Sequence, residues 1–297
     1  MQINKKSIEN KRMKKYIVTL IKEMLKEDIG KGDITTSFLF EKNFTVDAVI
    51  TAKEDGVICG IDVFKGVFLY LSPSFRFKFS VKDGENIYKG MKVAEIKGPV
   101  KELLTGERTA LNFLQHLSGI ATLTKKFVER AGKIEIYDTR KTTPLLRELE
   151  KYAVKVGGGK NHRFGLYDMV LIKDNHITAV MKEKGMNRLD AISYAVEKAK
   201  KKVKGRYKVE VEVENFIEAE AGYKAGADII MFDNADEKEL KKFVEWLGSR
   251  RKKVIIEWSG NVDIKTIEKI SKLPVDRVSA GCITHSAKAV DFSLKII

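Results

Sequence analysis

From about residue 133 onward, short apolar runs recur at a steady rhythm, each followed by polar residues and then an amphipathic helical pattern. The predicted strands are 134–137, 169–172, 209–213, 228–232, 254–257 and 277–280, and the predicted helices are 145–156, 189–203, 216–225, 237–247 and 264–273. Parallel strands joined by helical crossovers leave a chain few topologies, chiefly a doubly wound sheet or a barrel. Six strands rather than eight suit an open α/β barrel. The residues able to do chemistry favour the barrel, because they fall just after each strand, where a barrel has its C-terminal mouth.

Before residue 127 the pattern is mixed. Residues 14–26 have helical spacing, with Ile17, Leu20, Ile21, Met24 and Leu25 on one stripe. Strands are predicted at 45–53, 56–59, 75–81 and 92–97, divided by turn signals such as Asp83-Gly84 and Lys89-Gly90. Residues 100–130 read as helix, with a break near Ser118-Gly119. Short strands interleaved with helices suggest an α+β layer.

Composition excludes several classes. At 297 residues the chain can bury a sizeable core, and no apolar run is long enough to span a bilayer. The basic N-terminus lacks the apolar core of a signal peptide, so a cytoplasmic protein is expected. Cys59 and Cys282 fit no metal or redox spacing. The net charge of +15 invites a nucleic-acid reading. Much of the excess falls in residues 5–15 and in Lys198, Lys200, Lys201, Lys202 and Lys204, however, and such runs are more often solvated surface. Neither nucleic acid nor membrane is expected as a partner.

Read in order, the strand ends form a ring of chemistry: Asp138-Thr139-Arg140-Lys141, then Lys173-Asp174-Asn175-His176, then Glu212 and Glu214, then Asp233-Asn234, Ser259-Gly260-Asn261 and Gly281. Cations come first, carboxylates next and glycines last. Arg140, Arg163 and Lys173 suit the grip of carboxylates, since a guanidinium meets a carboxylate in bidentate fashion. Internal pairing with Asp138, Asp168 and Asp174 is the alternative. His162 reads as an acid–base group or a hydrogen-bond donor, while His116 and His285 read as structural. Gly157-Gly158-Gly159 is either a helix C-cap or a phosphate cradle.

In VEVEVE, alternation puts Glu210, Glu212 and Glu214 on one face and three valines on the other. Interior glutamates need a partner such as Lys173, or a metal. Glu212 and Asp233 would make an oxygen pair for Mg²⁺, with interior salt bridging equally open. Ser259, Gly260 and Asn261, with Gly281, sit where late barrel loops often take a phosphate, or they form ordinary turns. Arg108, in GERTALN, reads as an exposed helix residue.

The motifs EDIGKGDITT, KEDGVICGIDVF, GERTALNFLQHLSGIAT, YDTRKTTP, GGGKNHRFGLYDMVLIKDNHI, VEVEVE, FDN, SGN and THSAKAVDFSL together resemble the quinolinate phosphoribosyltransferase family, from about residue 27 to residue 297. The resemblance implies an N-terminal α/β sandwich domain (27–127, completed by 286–297) after a basic extension and first helix (1–26). It implies an open six-stranded α/β barrel over 128–285. It implies transfer of phosphoribose from phosphoribosyl pyrophosphate to quinolinate, with Mg²⁺, giving nicotinate mononucleotide, pyrophosphate and CO₂. By the same carry-over, Arg140, His162, Arg163 and Lys173 bind quinolinate and Lys141 faces pyrophosphate. Glu212 and Asp233 face the ribose and the metal, directly or through water. Ser259, Gly260, Asn261 and Gly281 take the 5′-phosphate. Lys141, Lys173, Glu212 and Asp233 are the expected catalytic set. The family's homodimers share active sites, so Arg108 is expected to reach a neighbour's site, in a dimer or a higher oligomer. A related phosphoribosyltransferase paralogue acting on another acid is the alternative. Leu145 departs from the family pattern, which has glycine there.

Overall fold

The computed structural model describes the backbone from residue 5 and the side chains from residue 15 through residue 297. The basic stretch over residues 5–15 thus falls almost wholly outside the described side chains. The elements in chain order are α1 (Lys5–Ile29), α2 (Ile34–Leu39), β1 (Thr45–Ala52), β2 (Gly56–Val57), α3 (Ile61–Leu71), β3 (Arg76–Phe79), β4 (Asn86–Ile87), β5 (Lys92–Pro99) and α4 (Val100–Ala131). They continue with β6 (Glu135–Tyr137), α5 (Arg147–Val156), β7 (Val170–Ile172), α6 (Asp174–Lys184), α7 (Arg188–Val203), β8 (Val209–Val213), α8 (Phe216–Lys224) and β9 (Ile229–Asp233). The last are α9 (Glu237–Leu247), β10 (Ile255–Ser259), α10 (Ile267–Ile270), β11 (Arg277–Ser279), α11 (Cys282–His285) and β12 (Phe292–Ile296).

Two compact units emerge. The first comprises the chain through Leu123, with Pro144–Gly157 and Ala287–Ile297; the second comprises Thr124–Thr143 and Gly158–Ser286. Residues 144–157, placed with the barrel on sequence, thus cluster with the first unit.

In the first unit an antiparallel sheet runs β12-β1-β5-β3. Its core includes Phe64, Phe68 and Phe75 in tilted and edge-on contacts, the geometry that aromatic quadrupoles favour. The expected break in α4 does not occur. Gly119 is there for close approach: a Cβ on it would lie 2.2 Å from the carbonyl oxygen of Lys288. Ser118 is buried and its Oγ accepts the Cys59 N–H at 2.9 Å. Both residues pack the helix against its neighbours rather than ending it.

In the second unit the sheet order is β6-β11-β10-β9-β8-β7, and every neighbouring pair is parallel. The first strand pairs with the last and β6 forms no ladder with β7, so the barrel is open. All six of its strands, and the helices α7, α8 and α9, were legible within about two residues of their observed ends; α6 was not anticipated. The final helix shrinks to the four residues of α10, preceded by a turn in which Asp263 Oδ1 accepts the N–H groups of Lys265 and Thr266. Val211 packs under α8, where Gly222 leaves room for it: a Cβ there would lie 2.9 Å from the valine. The valines of β8 therefore face the helices, and its glutamates face inward.

Candidate active site

At the C-terminal ends of the barrel strands a cavity of about 350 Å³ is lined by Arg140, Lys141, His162, Arg163, Lys173, Glu212, Asp233 and Ser259, together with Thr139, Leu171, Met231 and Ser279. Eight expected site residues from six separate loops and strand ends therefore line one cavity. Gly260, Asn261, Gly281 and Arg108 are not among the lining residues. Arg108 lies on α4 in the first unit.

The glycines have structural roles beside the cavity. Gly260 has φ +85, and a Cβ on it would lie 2.3 Å from Asn234 Oδ1, so only glycine fits. Asn261 Nδ2 donates to that same Asn234 Oδ1 at 2.9 Å, which ties the loops after β9 and β10 together. Gly281 makes room for the Lys141 stem, since a Cβ there would lie 2.9 Å from Lys141 Cδ. Thr284 Oγ1 on α11 donates to the Lys141 carbonyl at 2.7 Å, so α11 supports the lysine from below. Gly157 proves to be the C-cap of α5, its N–H donating to the Ala153 and Lys155 carbonyls.

Two of the aspartates weighed as internal partners accept hydrogen bonds from the backbone. Asp138 is buried and its Oδ1 accepts the His162 N–H at 2.9 Å; Asp168 Oδ2 accepts the Phe164 N–H at 2.7 Å. Asp174 pairs with Arg188 at 2.7 Å. Lys173 Nζ lies 2.7 Å from Glu212 Oε1. Burial, followed by the adjacent Arg140 guanidinium, lowers the Arg163 pKa. Two guanidiniums crowded together in this way favour an anion between them. His116 Nε2 lies 2.8 Å from the buried Glu150, and the exposed His285 lies 2.6 Å from Ser286 Oγ.

Beneath the cavity lies a buried ionic group, of which the sequence pattern singled out His162 and Glu210 but not Glu257 or Arg277. Arg277 on β11 pairs with Glu257 on β10 and, at 3.4 Å, with Glu210 on β8; His162 Nε2 lies 3.1 Å from Glu210 and 3.6 Å from Glu257. Glu210 and Glu257 are fully buried. Burial, and then the charge on Glu257, push the Glu210 pKa up to about 7. Burial also works to raise Glu257, but His162 and Arg277 outweigh it and hold that carboxyl below its ordinary value. His162, Glu210 and Glu257 have spacing that a metal could use. Arg277 already brings the positive charge there. The available signal was a lone glutamate inside the apolar run of β10 and an arginine opening β11.

Comparison with known proteins adds a family. Residues 33–118 match the model for the quinolinate phosphoribosyl transferase N-terminal domain, and residues 120–295 match that for its C-terminal domain. The chain belongs to the quinolinate phosphoribosyltransferase family. It is 39% identical over 279 residues to the probable nicotinate-nucleotide pyrophosphorylase (carboxylating) of Bacillus subtilis, covering 93% of this chain and 92% of that one. The protein of the same name from Methanocaldococcus jannaschii is 39% identical over 293 residues, covering 96% and 99%. A crystal structure of NadC from Streptococcus pyogenes is similar at a TM-score of 0.85 with 40% identity, covering 100% of this chain and 99% of that one.

Proposed function

We propose that this chain transfers phosphoribose from phosphoribosyl pyrophosphate to the ring nitrogen of quinolinate, with loss of CO₂, to form nicotinate mononucleotide in the de novo synthesis of NAD. The observation that carries this reading is the cavity itself: Arg140, Arg163 and Lys173 converge on a space that also holds Lys141, Glu212 and Asp233. Quinolinate is a dianion, and three cations at one mouth match it. Lys141 faces the departing pyrophosphate. Glu212 and Asp233 face the ribose, where their charge stabilises an oxocarbenium developing at C1. Ser259, Gly260, Asn261 and Gly281 take the 5′-phosphate. Positioning and charge neutralisation supply most of such catalysis, so no covalent nucleophile is required. Once the ring nitrogen is alkylated, its positive charge stabilises the electron pair left on C2 as CO₂ departs, and a proton from water then takes up that pair.

Glu212 and Asp233 offer carboxylate oxygens at one cavity, a donor set that suits Mg²⁺. The ion, when bound with substrate, would neutralise charge on the pyrophosphate. The reading also includes a homodimer in which Arg108 serves the partner's site, and a cytoplasmic location. Among the described residues no helix is long and apolar enough to cross a membrane, and both cysteines are free.

The test is direct. Purified protein mixed with quinolinate, phosphoribosyl pyrophosphate and Mg²⁺ is expected to release nicotinate mononucleotide and CO₂ together. Turnover of nicotinate with none of quinolinate would sink the reading.

A further inference from the structure

Three consecutive N–H groups, those of residues 162, 163 and 164, donate to side chains rather than to backbone. His162 N–H donates to Asp138 Oδ1 at 2.9 Å, Arg163 N–H to His162 Nδ1 at 2.8 Å, and Phe164 N–H to Asp168 Oδ2 at 2.7 Å. Buried backbone donors outside a helix or ladder need such partners. The middle strap is the imidazole of the residue next door.

An Nδ1 that accepts a hydrogen bond carries no proton, so the ring proton sits on Nε2. That atom is sealed from solvent and faces Glu210 and Glu257 at 3.1 and 3.6 Å. Turning the ring over would set a C–H against the Arg163 N–H and withdraw the donor from the carboxylates, so the flip is fixed as well.

The charged and titratable groups around the ring are Glu210 on β8, Glu257 on β10, Arg277 on β11 behind both carboxylates, Tyr137 and Asp138 at the end of β6, and Arg163. Burial disfavours an imidazolium here, while the two carboxylates favour it and leave a net upward pull on the pKa. A second proton would have to occupy Nδ1, however, facing the Arg163 N–H and breaking the strap. Both ring nitrogens are therefore committed inside the protein, although His162 lines the cavity.

We infer that His162 is a positioning residue for Arg163: through a neutral ring protonated on Nε2 it straps the Arg163 backbone, and it gives no hydrogen bond to the substrate. This rests on reading the cavity as the quinolinate site, and it leaves the carboxylates to Arg140, Arg163 and Lys173. Arg163 needs the strap because its surroundings oppose it. A guanidinium held beside that of Arg140 tends to swing away until an anion arrives. Arg163 Nη1 is also anchored, donating to the Met169 carbonyl at 3.2 Å.

The first experiment uses the whole wild-type protein labelled with ¹⁵N-histidine, of which the chain has 4. One imidazole is expected to show an unprotonated Nδ1 and a protonated Nε2 from about pH 6 to about pH 8.5, a range in which free histidine loses its charge. Saturating quinolinate is expected to leave that tautomer unchanged. His162 is assigned by loss of its signals in His162→Asn, or by elimination with variants of His116, His176 and His285. A doubly protonated ring at neutral pH, or a change in its nitrogens on adding quinolinate, overturns the inference.

The second experiment is a kinetic cycle. In His162→Asn, Oδ1 takes the place of Nδ1, so kcat/KM for quinolinate is expected to stay within about tenfold of wild type, whereas His162→Phe loses about 100-fold. With Arg163→Ala already present, His162→Phe is expected to cost less than about threefold more, because it acts through Arg163. Full additivity overturns the inference. The labelling experiment needs no turnover, so a strapped ring in a protein inactive on quinolinate would refute the functional reading and leave the strap standing.

Discussion

Lys173 Nζ lies 2.7 Å from Glu212 Oε1, so two opposite charges that line one cavity already pair with each other. On the proposed reading, the dianionic substrate must share this lysine with Glu212. The two variants should therefore behave differently. Lys173→Ala is expected to lower kcat/KM for quinolinate by about 100-fold, mainly through KM. Glu212→Gln is expected to act mainly on kcat, because on the proposed reading it removes charge facing the ribose. Steady-state kinetics with each substrate varied in turn checks both, and equal effects on KM for quinolinate would count against this division.

The Arg277 guanidinium is the cation that compensates two buried carboxylates. Arg277→Met is expected to destabilise the protein by about 3–5 kcal/mol, since it leaves buried charge unpaired. Chemical denaturation measures this. A loss below about 1 kcal/mol would mean that the carboxylates are satisfied without the arginine.

Leu145 has φ +63, a region that side chains disfavour, and its own side chain is 78% exposed. The strain brings no packing in return. Leu145→Gly removes a cost of about 1 kcal/mol, offset in part by the freedom glycine gains when unfolded. A net gain of about 0.5 kcal/mol in urea unfolding is expected, and none for Leu145→Ala. The Tyr16 hydroxyl, which donates to the Leu145 carbonyl, is kept in both variants.

Asp33 caps α2, accepting the Thr36 N–H at 2.9 Å and the Thr36 hydroxyl at 2.6 Å. The Thr36 hydroxyl, followed by its N–H, holds the Asp33 carboxyl below the usual range. A depressed carboxylate stabilises the fold above its unfolded pKa of about 3.9, and the contribution fades as pH falls through the folded value. Asp33→Ala is expected to cost about 1 kcal/mol at neutral pH, and the gap to wild type should narrow in acid. A gap that stays constant down to about pH 3 would refute the cap's ionic character.

If Arg108 serves a partner's cavity, defects in Arg108 and Lys141 reside in different copies of one site. Mixing Arg108→Ala with Lys141→Ala protein is expected to restore up to about a quarter of wild-type activity, through hybrid dimers that hold one intact site. No recovery despite proven subunit exchange would rule out sharing.

Much of this was legible in the sequence because barrel strands announce themselves. β8 was predicted to the residue, since VEVEV alternates cleanly between a helix-facing and an inward face. The cavity wall was legible because each chemical residue follows a strand directly. Other features depend on contacts between distant segments, which periodicity does not report. α6 was missed because Asp174 and His176 at its start read as loop chemistry. Gly119 looked like a break because its reason for being glycine, the Lys288 carbonyl, lies far away in sequence. Glu210 was placed on the inward face with a lysine or a metal as its partner, yet the cation that answers it is an arginine three strands away in the sheet.

The order of strands sets a schedule for folding on the ribosome. β1 pairs with β12, and β6 pairs with β11, so each sheet takes an early strand and a late one as neighbours. While β7 through β10 emerge, β6 waits for a partner, and β1, already paired with β5, keeps its other edge open for longer still. Neither unit can complete its sheet during synthesis until the chain has passed residue 277 in one case and residue 292 in the other. A ribosome that stalls in the middle of this message would leave two unfinished sheets with open edges, not one finished domain and one pending.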